Sequence, residues 1–437
     1  MSVSRSLYLD QIKALIVALV IALHAPMAFG GMGWIGVRIP IEESVGPFFN
    51  GFFGWYGYAI NSFIMQMMFL ISGYFVPRSV HKKGVARYLK DRLLRLGVPF
   101  LVGMLLINNS SLLLSRLSPA SPYSELQWNN QPFNSVMVLW FLVVLFAFDL
   151  LYCTWVVIRG NRFSVDTSVV MPGLRSWLMS AVVLGILEVA MTMQTNLWIA
   201  LVRSPLNALG LQGMHTFTYG FLFFLGCKAS FHRWFERLDT HLVMKWFRLS
   251  VFLLLSLLGL SMTLSFNTHL VDEPVKIVLL VYFLYPFIAW GILSYLIVWF
   301  QRNEHRYGQW LAAAGVNSYG AYVIHSFVLV AVLMAIGFIG LNPWLIAIIA
   351  TALTAIISFA VTGQLRKIPV MQSSLTSNNV FNVICLWFYC SIGSSSAMQL
   401  LLKHVYLTSS GAAGLCCVQL KPVEGYKHLT QSQLGDL

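Results

Sequence analysis

The chain has 437 residues, of which 58% are hydrophobic and only 10% are charged. Soluble domains carry about 25% charged residues, so a soluble fold is excluded and hydropathy is the right first tool. The net charge of +13 does not point to nucleic acid, because the basic residues sit in short stretches between long apolar runs, as orientation in a membrane requires.

The first run, Arg5 to Pro26, is apolar and helix-favouring but is interrupted by Asp10, Lys13 and His24. A spanning helix needs about 20 mostly apolar residues. The run is read as a retained first helix, since Asp10 and Lys13 break the apolar core a signal peptide needs. Lys13 and His24 are eleven residues apart, three turns with about 20° to spare and a rise of about 16 Å. Asp10, Lys13 and His24 therefore share one face. Ionisable groups at membrane depth are costly and turn toward a bundle interior or a wet cavity, which makes them functional candidates. The same spacing also suits interfacial roles for Asp10 and Lys13, with His24 hydrogen-bonded to a neighbouring helix.

Apolar runs of spanning length predict ten helices, at 8–29, 55–76, 97–117, 136–158, 176–196, 207–227, 249–266, 277–300, 315–337 and 344–363. The expected fold is an all-α integral membrane protein. With the N-terminus in the cytoplasm, nineteen Lys and Arg residues fall in inner connections and four in outer ones or at their borders, which fixes the orientation. Two domains are expected. Residues 1–370 form the membrane domain, and 371–437 an atypical tail with a short aromatic segment, VFNVICLWFYCSIG, that is short for a span. The outer loop from Gly30 to Gly54, rich in Gly, Pro and aromatics, is expected to fold back onto the membrane surface or over a cavity. The polar loop from Ser118 to Ser135 reads as an ordinary exposed loop. The six cysteines and ten histidines show neither an outer disulfide framework nor metal-ligand spacing, so no metal is expected.

Four further stretches carry candidate residues. FLISGYF (Phe69 to Phe75) places Ser72 and Gly73 where helices can approach closely, with Tyr74 as an interfacial anchor. The inner basic loop KKGVARYLKDRLLRLGVP holds Arg92 and Arg95, which in a helix lie at i and i+3 on one face. Side by side they suit phosphate, although head-group binding and orientation signals explain the same charges. LWFLVVLF opens with Trp140, suited to an aromatic belt, and Asp149 and Glu188 are acids within spans whose partners the sequence does not name. In SYGAYVIHSF, Tyr319, Tyr322 and His325 fall on overlapping helix faces. His325 is a second deep histidine, either reactive or bridging helices.

Taken in order, LD-x-I-K with His24 eleven residues after Lys13, F-L-I-S-G-Y, R-L-L-R-L-x-x-P, L-W-F-L, F-F-L-G (Phe223 to Gly226) and S-Y-G-A-Y-V-I-H resemble the acyltransferase-3 family of integral membrane acyltransferases over about Arg5 to Arg366. The M-Q-x-x-F-x-I-S-G-Y-F arrangement looks most like a branch that succinylates periplasmic glucans. The resemblance implies acyl transfer from a cytoplasmic acyl-CoA, acetyl-CoA or succinyl-CoA, to a hydroxyl on the far side. The acceptor would be a carbohydrate or a lipid-linked glycan. It implies no permanently bound cofactor, membrane lipids as surroundings, and a place in the bacterial inner membrane. It maps His24 to the essential histidine, with Lys13 and Asp10 before it, and Arg92 and Arg95 to the donor-facing arginine pair. Ser72, Tyr74, Trp140, Tyr322 and His325 support the site. Lys13 stands where arginine is commoner, and Val138 precedes Leu139-Trp140 where relatives often place a histidine. The tail after Met371 matches nothing in the family pattern. The competing class is a secondary transporter or flippase of a small anionic or glycan substrate. It predicts an internal repeat, and none is visible.

Overall fold

Apolar runs in lipid must satisfy every backbone group internally, and the computed structural model resolves them as helices. It describes residues 7–29, 35, 37–39, 46–117, 136–160, 164–192, 215–267, 274–306 and 308–367. Among these, nine helical stretches are long and apolar enough to cross a membrane, and the protein is an all-α multi-pass membrane protein. The expected tail, 371–437, the loop 118–135 and most of residues 30–45 lie outside the described residues.

Helix α1 is Leu7–His24, prolonged by a 3-10 turn, Ala25–Phe29. Helices α2 (Gly46–Asn61) and α3 (Ile64–Lys83) follow. The second expected span, 55–76, straddles the break between them. At that break Phe63 leaves the helical region and the Ser62 hydroxyl turns back to donate to the Ala59 carbonyl at 2.7 Å. The two pieces then take different partners, so residues 46–54, expected in an outer loop, form the first turns of a helix.

Gly84, at φ 76°, ends α3 by a turn that favours glycine. The basic stretch beyond it was expected as a loop, and it is helical. Helices α4 (Val85–Arg92), α5 (Val98–Val102) and α6 (Asn109–Ser115) run on through two π-helical segments, Leu93–Gly97 and Gly103–Asn108. The first has a plain cause. Pro99 has no N–H to give the carbonyl four residues before it and its ring crowds that carbonyl, which a widened turn relieves.

The remaining helices are α7 (Trp140–Arg159), α8 (Leu174–Thr192), α9 (Thr216–His232), α10 (Thr240–Phe266), α11 (Pro274–Arg302), α12 (Gly308–Ile336) and α13 (Pro343–Leu365). The sixth expected span, 207–227, corresponds to α9, whose 17 residues begin later and end later than the hydropathy run. The Asp239 and Asn342 side chains cap α10 and α13, each accepting from a backbone N–H at 2.9 Å.

Small residues set the helix crossings. A Cβ on Gly73 of α3 would sit 2.0 Å from the Phe223 carbonyl oxygen, and one on Gly226 of α9 would sit 2.2 Å from that of Leu70. Each helix thus lays a glycine against the other's backbone, and the two expected motifs FLISGYF and FFLG form one contact. Likewise Gly315 of α12 lies on the Asp10 carbonyl of α1. Helix α1 is packed by α2, α3, α11, α12 and α13, and on its ionisable face Asp10 is buried while Lys13 and His24 are half-buried.

Candidate active site

The two deep histidines meet. His24 Nδ1 lies 3.2 Å from His325 Nε2, and the rings stack with centroids 5.3 Å apart and planes 15° apart. His325 is fully buried, and its Nδ1 hydrogen-bonds the Tyr322 carbonyl three residues back. A carbonyl only accepts, so His325 Nδ1 carries the proton and the neutral ring offers Nε2 as acceptor. His24 Nδ1 must then donate, which puts the basic lone pair of His24 on Nε2. The pair has the arrangement of a base oriented by a second group. Tyr322 is tied in turn, its hydroxyl donating to the Val138 carbonyl. That backbone contact uses the position where the resemblance led one to look for a histidine side chain.

The N-terminal end of α1 carries a different arrangement. Lys13 Nζ pairs with Asp10 Oδ1 at 3.2 Å and sits 5.1 Å from the centre of the Phe75 ring, a cation–π contact that helps hold an ammonium out of water. Asp10 and Lys13 thus belong together one end of the helix away from His24.

Arg92 and Arg95 part company. The Arg92 Nε–H donates to the Tyr88 hydroxyl at 2.8 Å, that hydroxyl donates to Asp149 Oδ1 at 2.6 Å, and Arg92 Nε lies 3.2 Å from Asp149 Oδ2. This names the partner of Asp149, a fully buried acid that the sequence left unassigned. Tyr88 and Arg92 are i and i+4 on α4, so both reach α7 from one face. Arg95 falls in the π-helical segment, its side chain is exposed, and its carbonyl accepts from the Tyr319 hydroxyl at 2.8 Å.

The supporting residues are placed as follows. Ser72 is half-buried beside Gly73 on α3. Tyr74 was expected as an interfacial anchor; instead it is buried, stacks on Phe235 at 4.4 Å and donates to Glu236 Oε1 at 2.7 Å. The short turn Phe235–Arg237 covers that end of α3 and takes the tyrosine from the lipid. Trp140 is half-buried and stacks on Tyr219 at 5.5 Å. Sequence reasoning missed a further buried cluster. Glu188 accepts from Thr218 and pairs with His215 Nδ1 at 2.6 Å, and the only signal was an acid within a span. Cavities of about 530 and 550 Å³ open between other helices, and His24, His325 and Arg92 line neither.

The family model described as an acyltransferase domain matches residues 6–363, the helical bundle almost end to end. The chain belongs to the acyltransferase-3 family. This acyltransferase-3 protein is similar to the glucans biosynthesis protein C of Escherichia coli O6:K15:H31 (strain 536 / UPEC), 29% identical over 175 residues that cover 37% of this chain and 42% of the relative. The proteins of the same name from E. coli strains SMS-3-5 / SECEC and K12 are 28% identical over the same shares. The match thus spans less than half the length of these curated relatives. No solved structure matches.

Proposed function

We propose that this acyltransferase-3 protein is a membrane O-acyltransferase of the bacterial inner membrane. It moves an acetyl or succinyl group from cytoplasmic acyl-CoA to a hydroxyl of a cell-envelope glycan. The observation that carries this reading is the His24–His325 pair, which leaves a neutral imidazole with an oriented basic nitrogen about 16 Å along α1 from Lys13. The similarity to glucans biosynthesis protein C, a protein named for glucans, supports a glycan acceptor.

In this mechanism His24 Nε2 takes the proton of the acceptor hydroxyl as its oxygen attacks the thioester carbonyl. The new C–O bond forms, the C–S bond breaks, and the proton passes from His24 to the departing CoA sulfur. His325 holds the tautomer and, backed by the Tyr322 carbonyl, favours the imidazolium that forms. At the cytoplasmic end the exposed Arg95 receives the donor's phosphates. Arg92, braced by Tyr88 and Asp149, contributes a fixed positive charge from α4.

The test is incubation of membranes with radiolabelled acetyl-CoA or succinyl-CoA, followed by tracing of label into the envelope glycan. Label is expected in wild type and absent with His24→Ala at equal protein abundance. Full transfer by His24→Ala would remove the general-base assignment. Wild-type membranes that move an intact glycan or anion without labelling it would favour a transporter.

A further inference from the structure

Gln66 of α3 is an anomaly. It is 1% exposed, and neither its amide nitrogen nor its amide oxygen has a hydrogen-bond partner. A buried amide left unpaired costs free energy, and buried polar groups in native proteins are almost always paired. Gln66 sits among Ile64, Met65 and Met67, all buried, so this part of α3 faces protein on every side. Both ends of the amide are thus open to a polar group that enters the bundle.

Two sets of contacts place Gln66 at the depth of the histidine pair. Lys13 of α1 meets Phe75 of α3. From Phe75 back to Gln66 is a rise of about 14 Å and from Lys13 on to His24 about 16 Å, so Gln66 and His24 differ by less than one turn in depth. Separately, Phe69 packs on Phe141 at 4.9 Å and Phe141 on Tyr322 at 5.9 Å. Gln66 is one turn from Phe69 and His325 one turn from Tyr322, both toward the His24 end of the bundle.

We infer that Gln66 is a catalytic residue of the acyl transfer, its Nε2 donating to the thioester carbonyl oxygen as that oxygen gains charge. The inference rests on the acyl-transfer reading and adds the group that reading lacks. The attack displaces the carbonyl electron pair onto oxygen before the C–S bond breaks, and a neutral imidazole cannot stabilise that charge while it is accepting the hydroxyl proton. A preorganised amide donor in a water-poor interior suits the task. The unpaired Oε1 accepts from a second hydroxyl of the incoming sugar.

The test is Gln66→Met, close in volume and without the amide. As a catalytic donor Gln66 predicts kcat lowered about 10²-fold, a donor KM little changed, and a melting temperature equal to wild type or higher, since an unpaired buried amide has been removed. A purely structural amide predicts that stability and activity fall together, and either that result or an unchanged kcat overturns the proposal. Infrared difference spectra with acetyl-CoA labelled with ¹³C at the carbonyl give a readout that does not need turnover. The thioester band of the bound donor is expected at lower frequency in wild type and in His24→Ala, and at the solution position in Gln66→Met. Equal band positions in all three overturn the role of Gln66. Activity that survives His24→Ala would instead overturn the underlying acyl-transfer mechanism.

Discussion

The Tyr319 hydroxyl donates to the carbonyl of Arg95 at 2.8 Å, and Arg95 is the residue four before Pro99. A proline leaves that carbonyl without its helical donor, so the tyrosine of one motif supplies what the proline of another removes. Tyr319→Phe removes that donor and, at this exposed hydrogen bond, is expected to cost about 0.5–1.5 kcal/mol. In a Pro99→Ala background the restored N–H can take the carbonyl, and Tyr319→Phe should cost clearly less. Thermal unfolding of the four proteins in detergent checks the coupling. Equal costs in both backgrounds would mean that the proline does not create the need for Tyr319.

Arg92 and Asp149 form an ion pair whose acid is fully buried. Asp149→Leu leaves the half-buried guanidinium with the Tyr88 hydroxyl alone, a loss of up to about 3 kcal/mol, so less protein should accumulate in the membrane. Arg92→Met with Asp149→Leu removes both charges and should recover most of that loss. The double variant should then fold yet show a raised KM for acyl-CoA. A normal donor KM in the folded double variant would reduce Arg92 to a structural role.

The spans were legible because lipid imposes a length and a composition, and α1, α7, α11 and α13 lie close to where hydropathy put them. The α2–α3 break was not, because Ser62 and Phe63 carry no proline or glycine to mark it. Asp10, Lys13 and His24 were legible as a face, since helical periodicity is local. That His24 ends on His325 was not, because the pairing joins residues 301 positions apart and depends on how α1 and α12 lie together. The inward turn of Arg92 was missed for the same reason. Its partner stands on another helix, and i, i+3 spacing assumes an α-helix where Pro99 imposes a π turn. Gly73 and Gly226 were each readable as small, but only the structure shows that each lies on the other's backbone.

That reciprocal crossing gives a stability prediction. A Cβ at Gly73 overlaps the Phe223 carbonyl oxygen, and backbone cannot step aside as a side chain can. Gly73→Leu is expected to drive α3 and α9 apart and to prevent accumulation of folded protein. Gly259, with no atom within 4 Å of an added Cβ, is the matched control, and Gly259→Leu should accumulate normally. Equal amounts of the two variants in detergent-solubilised, monodisperse form would count against the close crossing.

His325 tests whether the second histidine orients the first. Its Nε2 accepts from His24 Nδ1, and its own Nδ1–H is spent on the Tyr322 carbonyl, so its contribution is one acceptor at one place. His325→Leu removes the acceptor, lets His24 adopt the other tautomer and turns its lone pair away from the hydroxyl. A fall of about 10²-fold or more in kcat is expected, within the range that proton transfer supplies. The donor KM should hardly move, because the proposed mechanism puts the acyl-CoA phosphates at the far end of α1. His325→Gln places an amide oxygen near the lost nitrogen and should recover part of the rate. A merely space-filling His325 predicts the reverse order, with the apolar leucine tolerated better than glutamine at a fully buried position. The ratio of the two kcat values at equal folded protein therefore decides between orientation and packing.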